Sequence, residues 1–226
     1  MSQQRLNKLL VKLNLAPSRR KADELIQQGR VSVNGKIQNQ LGSMAIISDD
    51  IKLDGKAGVM KDEIYIAYNK PKGLVCSHTK QGNKTIFDNL PNSFSTLKMA
   101  GRLDKDSQGL MILSSDGEFV NKITHPSQQK TKSYTVVTKQ ELQSNDIEKI
   151  NQGIKLDDGI SKMRAKSINA NTIGITMAEG KNRQIRRTLN ALGKDVIKLE
   201  RTKINKYSVK GIAEGKYEFI KPGDVL

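Results

Sequence analysis

The sequence predicts an α+β protein of two unequal units. A small N-terminal unit is followed by a larger one whose mixed, largely antiparallel sheet is flanked by helices. Three observations carry this reading. Leucines recur at helical spacing near the start of the chain. From Ile64 onward the pattern changes to short β-branched runs separated by Gly and Asn. Between the two regimes, residues 55–63 form a polar stretch rich in charge and glycine, which marks a boundary near residues 55–62 and units of 1–58 and 62–226.

In the first unit, Leu6, Leu9, Leu10 and Leu13 predict an amphipathic helix over residues 5–14, with Arg5, Lys8 and Lys12 on its other face. Pro17 interrupts the chain. Ser18 is an N-cap for a second helix that buries Ala22, Leu25 and Ile26, and Gly29 stops it. The alternating Val31-Ser32-Val33 followed by Asn34-Gly35 predicts a hairpin. In the second unit, residues 64–68, 109–113, 133–138, 163–168 and 172–177 read as strands. Residues 140–153 and 182–192 read as helices, the latter closed by Gly193. Single helices interleave with strands joined by short turns, which suits a largely antiparallel sheet better than a doubly wound parallel one.

Composition narrows the function. The 226 residues carry 39 Lys+Arg against 23 Asp+Glu, a net charge of +16, and 36% are hydrophobic. A chain of this size and apolar content closes a core. No apolar run approaches the ~20 residues that span a bilayer, and the polar N-terminus lacks a signal segment. The expectation is a soluble, cytoplasmic monomer. One cysteine, Cys76, and two histidines, His78 and His125, leave no material for a disulfide framework or a Cys/His metal site, so neither a metal nor a cofactor is expected. The charge by itself leaves RNA, DNA and acidic membranes open as partners. It is concentrated in two places. Residues 1–36 hold eight Lys/Arg and two Asp/Glu, and residues 179–210 hold ten and three. Most charge runs are solvated faces, but eight cations in 36 residues exceed what solubility needs.

Two segments bear chemistry. Gly101-Arg102-Leu103-Asp104 places an Arg and an Asp in a glycine-flanked loop that enters the apolar run Leu110 to Leu113. A lone Asp in such a loop is more often a turn cap. Partly desolvated and kept ionised by a cation, it is a competent nucleophile. Glu179-Gly180-Lys181-Asn182-Arg183-Gln184-Ile185-Arg186-Arg187 clusters guanidiniums at a helix start, an anion site without the P-loop spacing.

The first stretch resembles the S4-like RNA-binding domain. The matching residues are Arg5-Leu6-Asn7-Lys8-Leu9, Ser18-Arg19-Arg20 with Ala22, Leu25-Ile26, and Gly29-Arg30-Val31-Ser32-Val33-Asn34-Gly35. Together with Lys70-Pro71-Lys72-Gly73, the Gly101–Asp104 loop, Lys132-Ser133-Tyr134-Thr135-Val136, Glu179–Arg187 and Leu199-Glu200-Arg201, the chain resembles the rRNA pseudouridine synthases of the RsuA and RluF type along almost its whole length. The stretches 105–110 and 182–187 look closest to the RluF branch, which modifies large-subunit rRNA. Ser114-Ser115 and Thr188 depart from the family's usual residues at packing positions.

The resemblance implies a pseudouridine synthase fold and isomerisation of a flipped uridine in a structured rRNA stem-loop, without cofactor or metal. It implies Asp104 as the catalytic nucleophile and Arg186 as the arginine paired with it. Tyr134 would stack on the uracil, Leu199 would wall the base pocket, and Arg102 would fill the vacancy left by the base. RNA contacts fall to Arg5, Lys8, Arg19, Arg20, Lys21, Arg30, Lys181, Arg183 and Arg187, and Lys70 and Lys72 are further candidates, either for RNA contact or for bracing the catalytic loop. The same reaction on small-subunit rRNA or tRNA, and a non-catalytic RNA-binding or ribosome-assembly protein, are the alternatives. Asp104, Tyr134 and Arg186 together weigh against the non-catalytic one.

Overall fold

Short apolar periodicities in the first sixty residues produce short elements around one small core. The computed structural model describes residues 2–226 and divides into two units, one up to Asp62 and one from Glu63 onward. The first contains β1 (Gln4–Arg5), α1 (Leu6–Lys12), α2 (Arg19–Gln27), β2 (Val31–Val33), β3 (Lys36–Gln38), β4 (Met44–Ala45), β5 (Ile51–Leu53) and β6 (Lys56–Ala57). Leu6, Leu9 and Leu10 of α1 pack with Ala22, Leu25 and Ile26 of α2 onto Val31, Ala45 and Ile51. The Ser18 hydroxyl accepts the Lys21 amide hydrogen at 3.2 Å, the expected cap. The β2–β3 turn has Asn34 and Gly35 at φ of 51° and 78°, the left-handed pair that a two-residue hairpin requires. The first helix ends earlier than its leucines predict, because Asn14 adopts φ 57°. Strands β4, β5 and β6 have two or three residues each, too few for alternation to reveal them.

The second unit runs β7 (Tyr65–Lys70), β8 (Lys98–Met99), β9 (Gln108–Ser114), α3 (Gly117–Thr124), β10 (Lys132–Thr138), α4 (Ser144–Gln152), β11 (Ile154–Leu156), β12 (Gly159–Ser161), β13 (Arg164–Asn169) and β14 (Thr172–Met177). It continues with α5 (Gln184–Asn190), β15 (Val196–Ile204), β16 (Tyr207–Ser208), β17 (Tyr217–Phe219) and α6 (Pro222–Val225). The main sheet has the order β13-β14-β10-β15-β9-β7-β17, with β8 added beside β9 and β16 beside β15. Its pairings are antiparallel except for β9 with β15, so the sheet is mixed and largely antiparallel, as expected. One face carries the larger core, where Tyr68, Met111, Val136, Ile175 and Leu199 meet α4 and α5 through Ile150, Ile185 and Leu189. On the other face, Ala67, Leu110 and Ile112 are covered by Phe119 and Ile123 of α3.

Several elements escaped the sequence reading, among them α3 and β15. Helix α3 is nucleated by Asp116, whose carboxylate accepts the Glu118 and Phe119 amide hydrogens. The nine-residue β15 is dense in Lys, Glu and Arg, which masks its strand period. Helix α4 begins at Ser144 rather than residue 140, behind a capping box from Gln143 and Asp146.

The parallel pairing of β9 with β15 positions the site. Gly109 at φ 107° lies opposite Arg201, and a Cβ there would come within 2.4 Å of the Arg201 carbonyl oxygen. Only glycine permits this approach. It draws β15, with Leu199, beside the segment that carries Asp104.

Candidate active site

The segment between β8 and β9 is held by its backbone on both sides of Asp104. The Leu103 amide donates to the Cys76 Sγ at 3.4 Å, and Leu103 itself is buried in the core. The Asp104 carbonyl accepts the Ser107 amide hydrogen at 3.1 Å, and the Lys105 carbonyl accepts that of Gly73 at 2.8 Å. Lys70, fully buried at the end of β7, donates its ammonium to the carbonyls of Pro71 (3.0 Å), Asp104 (3.2 Å) and Ser107 (2.7 Å). Lys70 therefore braces the loop rather than meeting solvent. Burial pushes its pKa below that of an ordinary lysine, against the nearby carboxylates Asp104 and Asp106, which pull it up. Lys72 is exposed and donates to the Ile197 carbonyl at 3.2 Å. Burial raises the pKa of Cys76, so it acts as a neutral acceptor in the loop's floor.

Asp104 is partly exposed, and its nearest cation is not the one the resemblance implied. Arg183 Nη1 lies 3.8 Å from Asp104 Oδ2. Arg186 instead turns to Asp106, with Nε 3.2 Å from Oδ2 and Nη2 donating to the Asp106 carbonyl at 3.0 Å, while Nη1 donates to the Val196 carbonyl. Its Nε–H is off-line for a hydrogen bond, so the contact with the carboxylate is Coulombic. Arg183 also binds the Asp106 carboxylate through two nitrogens, each at 3.1 Å. Burial pushes the Asp106 carboxyl up, but the Arg183 hydrogen bonds and the Arg186 charge outweigh it and hold the pKa below the usual carboxylate range. In the free protein the cation nearest the Asp104 carboxylate is thus Arg183, while the Asp104 charge also acts on Arg186. The reason is local: Arg183 adopts φ 47° immediately before α5, which starts at Gln184 rather than 182. Asp106 went unnoticed, although an Asp two residues beyond Asp104 in a cationic region was a usable signal.

Asp104, Arg183 and Arg186 line a cleft of roughly 700 Å³ that also takes in Arg102, Tyr134, Lys181, Ile185 and Leu199. Tyr134 on β10 and Leu199 on β15 are buried at its wall, and Arg102 is exposed at its rim. Two expected RNA contacts are engaged within the protein. Arg187 binds both oxygens of Asp158 (2.9 and 2.7 Å), and Lys181 donates to the Asp158 carbonyl at 2.9 Å. Asp158 sits at the turn of the β11–β12 hairpin, and Thr188 and Gln184 hydrogen-bond the Ser161 hydroxyl at its end. The departure at Thr188 is therefore a polar link between α5 and the hairpin.

In the N-terminal unit, Arg5, Arg19 and Arg20 are exposed along the helix pair, and Lys8 is half-buried. Arg19 donates to Asn7 Oδ1 at 3.3 Å, with Asn7 bound in turn to Asp23. Lys21 pairs with Glu24 at 2.7 Å, and Arg30 with Asp54 through two nitrogens. The latter two cations are partly neutralised before any ligand arrives.

Residues 64–191, which include the cleft apart from Leu199, match the family model described as RNA pseudouridylate synthase. The chain belongs to that family. Residues 4–50 match the S4 domain. The chain is 34% identical over 230 residues to the ribosomal large subunit pseudouridine synthase B of Bacillus subtilis (strain 168), covering 98% of this chain and 94% of that protein. It is 34% identical to the dual-specificity RNA pseudouridine synthase RluF of Escherichia coli (strain K12), covering 98% and 77%. A crystal structure of a pseudouridylate synthase superposes with a TM-score of 0.71 at 28% identity, covering 98% of this chain and 97% of that one. The fold is accordingly that of a pseudouridine synthase with an N-terminal S4 domain. No helix among the described residues is long and apolar enough to cross a membrane.

Proposed function

We propose that this pseudouridine synthase isomerises one or a few uridines of large-subunit rRNA, with Asp104 as its nucleophile. The observation that carries the reading is the placing of Asp104, a carboxylate fixed by its backbone and faced by Arg183, in the cleft walled by Tyr134 and Leu199. The full-length likeness to a large-subunit synthase favours that substrate.

The reaction breaks the bond between ribose C1′ and base N1, turns the ring, and joins C1′ to C5. N1 gains a proton and C5 loses one, so electrons and atoms balance without a redox partner. The target base has to leave its stack, which costs a few kcal/mol. The cationic surfaces offset this through phosphate contacts. Arg102 at the rim takes the space the base vacates, Tyr134 stacks on the uracil and serves the proton transfer, and Leu199 keeps the pocket apolar. Arg183 keeps Asp104 aimed. Arg186 acts one step back, by holding Asp106. Exposed Arg5, Arg19 and Arg20 hold structured RNA by its backbone, which positions without reading sequence.

Pseudouridine mapping of rRNA from cells lacking this protein tests the proposal. A missing large-subunit site restored by wild type but not by Asp104→Asn is expected. A complete map in the deletion strain overturns it in favour of ribosome assembly, and a gap confined to small-subunit rRNA or tRNA overturns the substrate.

A further inference from the structure

The sheet has a second face at its β13 end, back to back with the cleft. There, β10 turns Tyr134 and Val136 into the core and Ser133 and Thr135 outward. Register carries the outward row across the sheet. Ser133 lies opposite Thr176, which lies opposite Arg164, and Thr135 lies opposite Gly174, which lies opposite Lys166. The Ser133 and Thr176 hydroxyls are 3.3 Å apart, which fixes them on one face. These groups and Thr202 line a shallow trough of about 400 Å³, separate from the cleft. At its centre Gly174 leaves the floor low. A Cβ there would find its nearest neighbour, Ile168, at 3.8 Å, so space alone does not demand glycine.

Arg164 and Lys166 line this trough, and with Lys162 they form a row of cations along the chain. Lys162, just ahead of β13, and Arg164 and Lys166 within it alternate with Met163 and Ala165, which pack into the core. All three are exposed, and none has an acidic partner among the described residues. Glu200, opposite Thr135 on β15, is neutralised by Lys198 at 2.7 Å. Alternate residues of a strand are about 6.6 Å apart, close to the separation of successive phosphates along one nucleic-acid strand. Charges on an edge strand also deter sheet–sheet pairing. That role accounts for the cations but not for the uncovered hydroxyl-lined face behind them. Among the described residues that line the trough, Tyr134 is the aromatic one and its ring packs into the core on the opposite face, so stacking on bases is not available here.

We propose that this face is a second RNA-binding surface. Lys162, Arg164 and Lys166 would pair with consecutive phosphates, and the Ser/Thr row would meet ribose hydroxyls, of an rRNA segment outside the one in the cleft. This rests on the reading of the chain as an rRNA-modifying enzyme. A short stem-loop that fills the cleft does not reach around the sheet, whereas a long rRNA does.

The test measures binding of the full chain to a 23S rRNA transcript and to a short uridine-containing stem-loop across a salt series. Lys162→Gln/Arg164→Gln/Lys166→Gln is expected to weaken transcript binding at least about tenfold. It should reduce the slope of log affinity against log salt by about 2 to 3, the release expected from three phosphate contacts. Stem-loop binding and its conversion stay within twofold of wild type, and Lys162→Arg/Lys166→Arg keeps the wild-type slope. Should the triple variant melt early, Arg164→Gln alone is expected to remove about one unit of slope. An unchanged slope on a transcript that wild type binds overturns the proposal, as does an equal loss on both RNAs. If instead the variant keeps the slope but no longer sediments with phosphatidylglycerol vesicles, the face belongs to an anionic membrane. Wild type that binds and converts neither RNA overturns the parent reading, a failure visible before any variant is made.

Discussion

Arg183 stands 3.8 Å from Asp104 and also grips Asp106 through two nitrogens, so one guanidinium links the two carboxylates of the loop. All three groups are partly exposed, and an ion pair in such a setting adds only about 0–1 kcal/mol to stability. Its value lies in aim. Arg183→Gln is expected to leave the melting curve within about 1 kcal/mol of wild type while lowering single-turnover conversion by roughly 10- to 100-fold, the scale of a misaligned reacting group. A fall in stability without a fall in rate would show the pair to be structural.

Asp104 donates nothing to the loop through its carboxylate that its backbone does not already secure: its carbonyl holds Lys70 and the Ser107 amide. Asp104→Asn should therefore fold and bind rRNA like wild type. Conversion should drop by at least about three orders of magnitude, as when a nucleophile is removed. Conversion at the wild-type rate would move the nucleophile elsewhere.

Where sequence and structure agree, one local signal controls the outcome. Ser18 caps α2, Asn34-Gly35 turns the hairpin, and Thr172–Met177 forms its strand with the expected limits. Where they part, the deciding term is non-local or set by backbone sign. The resemblance pairs Arg186 with Asp104, whereas in the free protein the left-handed Arg183 brings its own guanidinium nearest Asp104 and Arg186 holds Asp106. Lys70 is a surface-type residue, and two of the three carbonyls that hold it come from a loop more than 30 positions away. Lys181 and Arg187 read as free anion binders until Asp158 arrives from the β11–β12 turn. A charged sequence shows where cations are, not which carboxylate the fold will set beside them.

Gly109 tests the parallel contact that brings β15 to the loop. Alanine there would force a Cβ to 2.4 Å from the Arg201 carbonyl oxygen and 2.7 Å from its nitrogen, at a φ of 107° that L-residues avoid. Backbone on both sides cannot yield as a flexible side chain would. Gly109→Ala is expected to cost about 3 kcal/mol or more, combining overpacking and backbone strain, seen as a lower urea midpoint. A variant within 1 kcal/mol of wild type would mean that β9 and β15 separate readily there.

Lys70 allows the loop's anchoring to be titrated. Lys70→Met removes an ammonium that satisfies three carbonyls, of Pro71, Asp104 and Ser107. Leaving buried acceptors unpaired is expected to cost about 2–4 kcal/mol at pH 7, together with a fall in conversion as Asp104 loses its support. Burial sets the sign of the pH dependence by lowering the folded-state pKa below that of an ordinary lysine. Between the folded value and the unfolded one near ~10.4, the unfolded chain binds more protons, so this lysine makes stability rise with pH. Below the folded value both states are protonated and its contribution is flat. The methionine variant lacks the effect. Urea titrations from pH 7 to 10 should therefore show the stability gap between wild type and Lys70→Met widening as the pH is raised. A gap that narrows would mean that the three carbonyls favour the charged ammonium by more than its burial disfavours it.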